Sequence, residues 1–280
     1  MNEKSRPSPF GAPAWGQAAV AALLVAAIAV LTANVWLTGA LVRQQRSEAR
    51  ERAFWVLCQP GFTPAERETA FRALVAGGNR EWRAADLSAL NFAGAGLAGV
   101  DLRLARFLRA NLAGADLTGA KLGGGSLELA DLTNATLANA SLVETRFFQA
   151  VLRGAMARGA DMRACMMAQI VAQNADLSVA NLSDAELMMA DLSGAKLIGT
   201  NLSGAKLESA KLTGANLALA RLDGADLTDA DFTNANWWSA RGLTSKQLTL
   251  LKKKFPPNAA AAQALKDDFA RWAEVPLPSQ

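Results

Sequence analysis

Few side chains of this sequence could carry out catalysis or hold a metal ion. The chain contains no His and no Tyr, and its two cysteines are Cys58 and Cys165. Without His it lacks the usual general base, the usual activator of a Ser or Cys nucleophile and a common metal ligand. Two thiols are too few for a four-thiolate zinc site and do not indicate a disulfide framework. We therefore expect a protein that is not an enzyme and has no cofactor or metal.

The carboxylates are numerous, but their spacing is that of a repeat rather than of an acid–base pair. Gly123-Gly124-Gly125 lacks the Lys-Ser/Thr that follows in a phosphate-binding loop, so we expect no small-molecule substrate. The regularly placed aspartates are Asp86, Asp101, Asp116, Asp131, Asp161, Asp176 and Asp191.

A five-residue unit, A-(D/N)-L-x-x, recurs thirty-one times in one register across residues 85–239. Its central position holds twenty-two Leu, four Phe, two Met, two Ala and one Trp. Similarity to itself at a fixed period is the signature of a solenoid, in which each unit packs on its neighbours. A solenoid presents a large surface, which favours binding over catalysis.

A period of five suits neither an α-helix at 3.6 residues per turn nor a plain strand at two. It does suit a short extended segment followed by a turn, with the Ala and the Leu, two residues apart, on the same side. The last position of the unit holds twelve Gly, four Asn and two Asp, which tolerate the backbone angles of tight turns. The pattern therefore predicts an all-β solenoid.

These tandem units resemble the pentapeptide-repeat family. The resemblance implies a right-handed, quadrilateral β-helix with four units per coil, and hence about eight coils here. At a strand spacing of ~4.8 Å such a rod would be roughly 37 Å long. The resemblance also implies that the central residue and the preceding small residue face inward, and that the other three positions face outward.

Both ends of the solenoid carry signals for capping structures. Trp82 and Trp237 fall in register with the central positions and are interpreted as bulky plugs. The sequence from Thr63 to Glu66 and that from Thr244 to Gln247 each read as the start of a helix with a capping box. Asn258 is predicted to cap a third helix, on which Leu265, Phe269 and Trp272 share one face.

The N-terminal region predicts a transmembrane helix over residues 15–42. No charged residue occurs between Pro7 and Val42, and a membrane span needs about twenty apolar residues. A cleaved signal peptide is the alternative, but the apolar run is too long and lies too far from Met1. The predicted organisation is a tail at 1–14, the span at 15–42, a helical neck and cap at 43–84, the repeats at 85–239, and cap helices with a tail at 240–280.

Flanking cations predict the orientation of the span. Lys4 and Arg6 precede it, whereas Arg43, Arg46, Arg50 and Arg52 follow it. Because cations favour the cytoplasmic side, we expect a single-pass protein of the bacterial inner (cytoplasmic) membrane with a cytoplasmic repeat domain. A periplasmic repeat domain remains open as the alternative.

Two basic segments are candidates for contact with anionic lipid headgroups, which attract Lys and Arg near the surface. The alternative for the lysines is favourable charge at the C-terminus of a helix. The candidate residues are Arg43, Arg46, Arg50, Lys252, Lys253 and Lys254.

A group of large apolar residues at outward positions predicts a docking patch for a protein partner. With twenty residues per coil, they gather along one edge of the rod over three successive coils. An exposed apolar cluster is typical of a binding surface, although a regular rod also tolerates single stray apolar residues. The patch consists of Phe148, Val151, Met166, Val171, Met188 and Met189.

The predicted function is a membrane-anchored rigid scaffold that presents β-helix faces to an unknown protein partner, with an accessory subunit of a larger membrane complex as a special case. The alternative follows from the family resemblance, because quinolone-resistance members are acidic rods that mimic DNA and bind a type II topoisomerase. Residues 85–239 hold sixteen acidic and twelve basic residues. A DNA duplex of this length would carry about twenty-two negative charges. We therefore favour the scaffold and expect no nucleic-acid partner.

Overall fold

The computed structural model of the 280-residue chain describes two compact units, residues 1–51 and 52–280. In the first unit, residues 37–45 and 47–49 are helical, and the Gln44 side-chain amide donates to Glu48 Oε1 at 3.1 Å. The second unit contains the repeats and the helices that flank them. The described residues are 37–45, 47–49, 51–52, 55–56, 63–76 and 82–274.

The repeats form a four-sided coil of parallel β-bridges. Each bridge in the described coil joins residue i to residue i+20, from Asp86↔Arg106 to Arg221↔Arg241. The 160 residues from Trp82 to Arg241 therefore make eight coils of four five-residue units. The central residues at 87, 92, 97 and 102 begin faces 1, 2, 3 and 4, and each face continues at every twentieth residue. The predicted coil number and register are confirmed.

Hydrogen bonds between coils use three N–H groups of each unit, in the same way along most of the coil. In one unit the Leu112 N–H donates to the Asp131 carbonyl at 2.7 Å, and the Gly114 N–H donates to the Thr133 carbonyl at 2.8 Å. From Trp82 to Leu212 every central N–H makes this bond, at 2.6–2.8 Å. A third N–H of the unit bonds in the opposite direction, as from Asn111 to the Leu90 carbonyl at 2.9 Å, twenty-one residues behind. Because these offsets recur from unit to unit, the coils stack without a change of register.

Each corner is a hydrogen-bonded turn. The third residue of the turn, which is the last residue of the repeat unit, adopts a left-handed backbone. The Ala115 N–H closes one such turn on the Leu112 carbonyl at 3.0 Å, and Gly114 has φ +65°. Positive φ at the third residue of a hydrogen-bonded turn is the pattern of a type II turn. Nineteen corners place a residue other than Gly in this conformation, including the β-branched Val179 at φ +61°. L-residues resist this backbone conformation, so these corners are strained.

The interior is filled by the central and small positions, as predicted. Phe147 and Ala157, on opposite sides of one coil, are both fully buried. Where a polar residue takes the small position, its side chain donates to a carbonyl of the preceding coil. The Thr200 hydroxyl bonds the Leu177 carbonyl at 2.7 Å, and Cys165 Sγ lies 2.9 Å from the Leu142 carbonyl. Burial raises the pKa of Cys165 to about 12, so this thiol is a structural substitute for Ala.

Helix α1, Pro64–Ala76, caps the N-terminal coil. Thr63 and Glu66 form the predicted capping box: the Thr63 N–H donates to the Glu66 carboxylate at 2.8 Å, and the Glu66 N–H returns to Thr63 Oγ1 at 3.3 Å. The Phe71 ring meets Trp82 edge-on, with centroids 4.7 Å apart, and Trp82 is buried. The Arg67 guanidinium donates to the Asp86 carbonyl at 3.5 Å, in the place where a preceding coil would supply an N–H.

Two helices, α2 (Ser245–Lys254) and α3 (Gln263–Ala273), cap the C-terminal coil. A 3₁₀ turn at Trp237–Ser239 leads into them, and the capping box of Thr244 with Gln247 is present. The Trp237 and Trp238 indoles donate to the Phe255 carbonyl at 3.0 Å and to Asp268 Oδ2 at 2.8 Å. The predicted apolar face of α3 is confirmed, because Leu265, Phe269 and Trp272 pack against the core.

The prediction that Asn258 caps α3 was wrong. The helix begins at Gln263 after Ala262. Asn258 is used elsewhere, because its side-chain oxygen accepts the Ala260 N–H at 3.0 Å and its own N–H donates to Asn234 Oδ1 at 3.1 Å. These bonds hold Asn258 against the last coil, so the chain makes a further turn before the helix starts.

Most of the predicted membrane span lies outside the described residues, as do Arg46, Arg50 and Cys58. Only residues 37–42 of the 15–42 segment are described, and these are helical. Within the described ranges, no helix has the length and apolar content needed to cross a membrane.

The corner conformation yields a stability prediction. Val179 is 58% exposed and left-handed, so Val179→Asn removes backbone strain without removing buried contacts. Asn adopts this conformation more readily than Val, for which it costs about 1–2 kcal/mol, and we expect the free energy of unfolding to rise by about 1 kcal/mol. Urea denaturation followed by circular dichroism measures the change.

Ile198 provides the matched control, because it is apolar, 36% exposed and on the same face, but has no left-handed backbone. Ile198→Asn should give no gain in stability. Equal gains from both variants would show that removal of surface apolarity, rather than relief of strain, is the cause.

Candidate docking surface

Four of the six predicted patch residues lie on face 1, and the other two, Val151 and Val171, lie on face 2 directly after the corner. Phe148 and Met166 are 41% and 44% exposed, and Met189 is also exposed. Val151, Val171 and Met188 are half-buried. The bridge Val151↔Val171 places these two residues on adjacent coils, and Met188 follows Phe148 two coils later in the same column. The register therefore brings the six residues onto adjoining positions of three successive coils.

One ion pair borders this patch on its N-terminal side and another on its C-terminal side. On the N-terminal side Arg146 Nε lies 2.9 Å from Glu128 Oε1, and on the C-terminal side Lys206 Nζ lies 2.8 Å from Glu186 Oε1. Both pairs join residues of neighbouring coils on face 1. An apolar centre with a charged rim is the usual anatomy of a protein–protein interface.

The regularly spaced aspartates serve the turns. Asp116 Oδ1 accepts the N–H of Thr118 at 3.0 Å, and Asp131 Oδ1 accepts that of Thr133 at 2.9 Å. Hydrogen bonds from the Thr118 side chain and backbone hold the pKa of Asp116 below its usual value. This bond supplies an acceptor for the one N–H of the unit that no backbone carbonyl reaches, which explains the preference for Asp or Asn before the central residue.

No cluster of three or more potential metal ligands among His, Cys, Asp and Glu occurs in the described part of the chain. The acidic side chains instead pair locally. The Arg103 side chain hydrogen-bonds Asp101 and lowers the pKa of that carboxyl to about 2.

A second apolar strip, on face 3, was missed by the sequence reasoning. Val179, Ile198 and Leu219 occupy the same corner on three consecutive coils, and the Val179 N–H donates to the Ile198 carbonyl at 2.8 Å. Met156, 50% exposed, lies on the same face. The signal for this strip is apolar residues that recur at intervals of about twenty. It is weaker than the signal of the face-1 patch, where the central positions also depart from the repeat.

The basic residues that were predicted to contact lipid headgroups lie in different environments. Arg43 is exposed in the helical residues 37–45. Lys252 Nζ donates to the Ala273 carbonyl at 2.8 Å and lies 5.5 Å from the Trp272 ring centroid. Lys254 Nζ lies 5.1 Å from the Phe255 ring, whereas Lys253 is exposed. The three lysines lie in the last turn of α2, as the alternative requires, and lipid contact stays a prediction.

The carboxyl chemistry predicts how stability depends on pH. The pKa of Asp101 is about 2 in the folded chain and 3.8 as its ordinary value. The unfolded chain therefore binds the proton first, and the stabilisation present above pH ~4 is lost as the pH falls toward ~2. Asp101→Asn keeps the turn acceptor but loses the charge, so unfolding free energies measured between pH 5 and pH 2 should fall less in this variant. Parallel pH profiles for variant and parent would contradict the assignment.

The repeats of this chain match those of a known protein family. A family model for pentapeptide repeats matches in eight copies, over residues 85–124, 126–166, 169–199 and 200–236. This match confirms the predicted family resemblance and supports a right-handed β-helix solenoid. A comparison with curated proteins found no match.

Solved structures with the same repeat were also found. The full-length QnrB1 structure, a plasmid-mediated fluoroquinolone resistance protein, is 19% identical, with 62% of this chain and 96% of that chain covered and a TM-score of 0.31. HetL from the cyanobacterium Nostoc, involved in heterocyst differentiation regulation, is 29% identical, with 61% and 95% covered and a TM-score of 0.21. A thylakoid-lumen pentapeptide repeat protein of Arabidopsis thaliana is 24% identical, with 69% and 88% covered and a TM-score of 0.11.

Proposed function

We propose that this chain, which belongs to the pentapeptide-repeat family, is a membrane-anchored, non-enzymatic scaffold that docks a protein partner on face 1 of its β-helix. The observation that carries the proposal is the apolar patch of Phe148, Val151, Met166, Val171, Met188 and Met189, which stands on adjoining coils between two ion pairs. An accessory subunit of a larger membrane complex is one form that this role takes.

A rigid presenting surface follows from the hydrogen bonding of the coil. Backbone bonds to neighbouring coils recur from unit to unit, and the side chain before the central residue takes up the N–H that remains. The outward side chains are therefore held at fixed spacings of about 4.8 Å between coils. Such a surface binds a partner with little loss of backbone entropy, because its own backbone is already ordered.

Membrane anchoring rests on the sequence of residues 15–42. This segment carries no charged residue, and four arginines follow it within ten positions, against one Lys and one Arg before it. That arrangement supports a single span in the bacterial inner membrane with the coil on the cytoplasmic side. Arg43, which directly follows the segment and is exposed, is the described candidate for contact with anionic headgroups.

The charge of the coil argues against the DNA-mimic alternative. Its sixteen acidic residues are largely offset by twelve basic ones, and ion pairs such as Lys206–Glu186 mix both signs on a single face. A DNA mimic needs a continuous negative surface to occupy a site that binds the phosphate backbone.

The anchor is tested by fractionation of cells that express the full chain. We expect the protein in the membrane pellet, retained after an alkaline carbonate wash that strips peripheral proteins. A variant in which residues 15–42 are replaced by a Gly/Ser linker should move to the soluble fraction. Recovery of the unaltered chain in the soluble fraction would exclude the anchor.

The docking surface is tested by substitution on face 1. Phe148→Ser, Met166→Ser and Met188→Ser together remove the centre of the patch while leaving every buried residue in place. We expect an unchanged circular dichroism spectrum and loss of the protein that co-purifies with the solubilised full chain.

Face 3 supplies the control for that experiment. Val179→Ser, Ile198→Ser and Leu219→Ser remove three exposed apolar residues of similar size from a different face. This control variant should retain the partner. Loss of the partner from both variants would mean that general surface apolarity, not face 1, holds it.

A further inference from the structure

Face 1 has opposite charge on the two sides of the apolar patch. A row is defined as the face-1 residues of one coil, such as 166–169, and eight rows run from 86–89 to 226–229. The seven rows from 106–109 to 226–229 are placed symmetrically about row 166–169, whereas row 86–89 has no counterpart and carries Asp86, which pairs with Arg67. Among these seven, the three rows before 166–169 hold three arginines and one glutamate, and the three rows after it hold four acidic residues and one lysine. These residues are Arg106, Arg109, Glu128 and Arg146 on the first side, and Glu186, Lys206, Glu208, Asp226 and Asp229 on the second.

We propose that the occupant of the face-1 patch is a second copy of this chain, bound face to face and antiparallel about a two-fold axis at Met166. This inference rests on the docking function proposed above and names the partner. A surface that is positive on one side of an apolar centre and negative on the other is complementary to its own inverted copy, which is the requirement for an isologous dimer.

The register of the coils fixes which residues meet. A two-fold axis that lies in the plane between the two faces, perpendicular to the direction of both coil axes, keeps each column opposite itself and inverts the order of the rows. With the axis at row 166–169, Met166 lies opposite Met166 of the second copy, and Phe148 lies opposite Met188. Phe148, Met166 and Met188 are thereby covered by apolar side chains, whereas Met189 lies opposite Gln149 of the second copy.

The outer rows then bring opposite charges together. Arg106 lies opposite Asp226 of the second copy in one column, and Arg109 lies opposite Asp229 in another. The Arg109 and Asp229 side chains are exposed and make no ion pair with a described residue of their own chain. Each contact occurs twice in the dimer because of the symmetry.

The inner rows extend ion pairs that already exist within each copy. Arg146, paired with Glu128, faces Glu186 of the second copy, which is paired with Lys206. The four side chains form a line along the interface in which the charges alternate in sign. One pairing is unfavourable, because Glu128 faces Glu208, and charged neighbours in the adjoining column partly offset this repulsion.

The available area fits a reversible dimer. Seven rows at ~4.8 Å spacing give a face about 34 Å long, and a width of about 15 Å makes the interface roughly 1,000 Å² in total. Interfaces of that size are characteristic of transient association. We therefore expect dimers that dissociate on dilution.

Thiol cross-linking tests the position of the axis. Met166→Cys is made in the full-length chain with Cys58→Ser, and Cys165 is buried and unreactive at neutral pH. Because facing sheets lie about 10 Å apart, a bifunctional thiol reagent with a spacer of about 8 Å should join the introduced thiols of two copies into a covalent dimer.

Met156→Cys in the same background is the matched control, because Met156 occupies the same position of its unit, is 50% exposed and lies on face 3. It should give no covalent dimer, because its thiols lie outside the face-1 contact. No dimer from Met166→Cys, or equal dimer from both variants, would overturn the proposal.

A charge exchange tests the antiparallel register. Arg109→Asp alone and Asp229→Arg alone should each weaken dimerisation at least tenfold in sedimentation equilibrium, because each creates two like-charge contacts. The double variant Arg109→Asp/Asp229→Arg should restore it. Failure of the double variant to recover the dimer would exclude this register.

These outcomes separate the partner from the function. If Met166→Cys gives no dimer, while the Ser substitutions at 148, 166 and 188 still remove a different co-purifying protein, a second copy is excluded and the docking function stands. If the Ser substitutions abolish neither a partner nor the dimer, both proposals fail.

Discussion

The structure depends on one hydrogen bond, from the N–H of each central residue to a carbonyl nineteen residues ahead. Its length stays at 2.6–2.8 Å from Trp82 to Leu212, and it holds residue i against residue i+20 throughout the coil. The bond is possible only if the chain turns every five residues, so the corners accept a left-handed backbone even where Val or Leu occupies them. These hydrogen bonds therefore outweigh local strain at the thirteen corners that hold neither Gly, Asn nor Asp, where the left-handed backbone costs about 1–2 kcal/mol per residue.

The hydrogen bonds between coils leave few side-chain positions of the unit available for a functional role. The small and central positions are committed to the interior, and the Asp or Asn before the central residue is committed to the turn. Polar residues that enter the interior, such as Thr200, find a carbonyl of the preceding coil. Function is thus left to outward positions, where apolar residues contribute nothing to the bonds between coils and where the fixed register turns distant residues such as Phe148 and Met188 into near neighbours.

Much of the fold could be predicted because the repeat encodes its own register. Trp82, Trp237 and the capping boxes at Thr63 and Thr244 were identified from local sequence, since a cap depends on residues three apart. The start of α3 was not, because the bond between Asn258 and Asn234 joins residues that are distant in sequence. The face-1 patch was predicted from dense departures from the repeat, whereas the face-3 strip became visible only when corners were compared at intervals of twenty.

Amide hydrogen exchange, resolved to single residues in the full-length protein, tests the central constraint most directly. We predict slow exchange that repeats every five residues, with the central N–H groups from Phe92 to Leu212 protected to a similar degree. The N–H groups of Leu227 and Asp229, which find no backbone acceptor within residues 82–274, should exchange fast. Protection without a five-residue period, or protected Leu227 and Asp229 beside exposed central amides, would contradict the stacked four-sided coil.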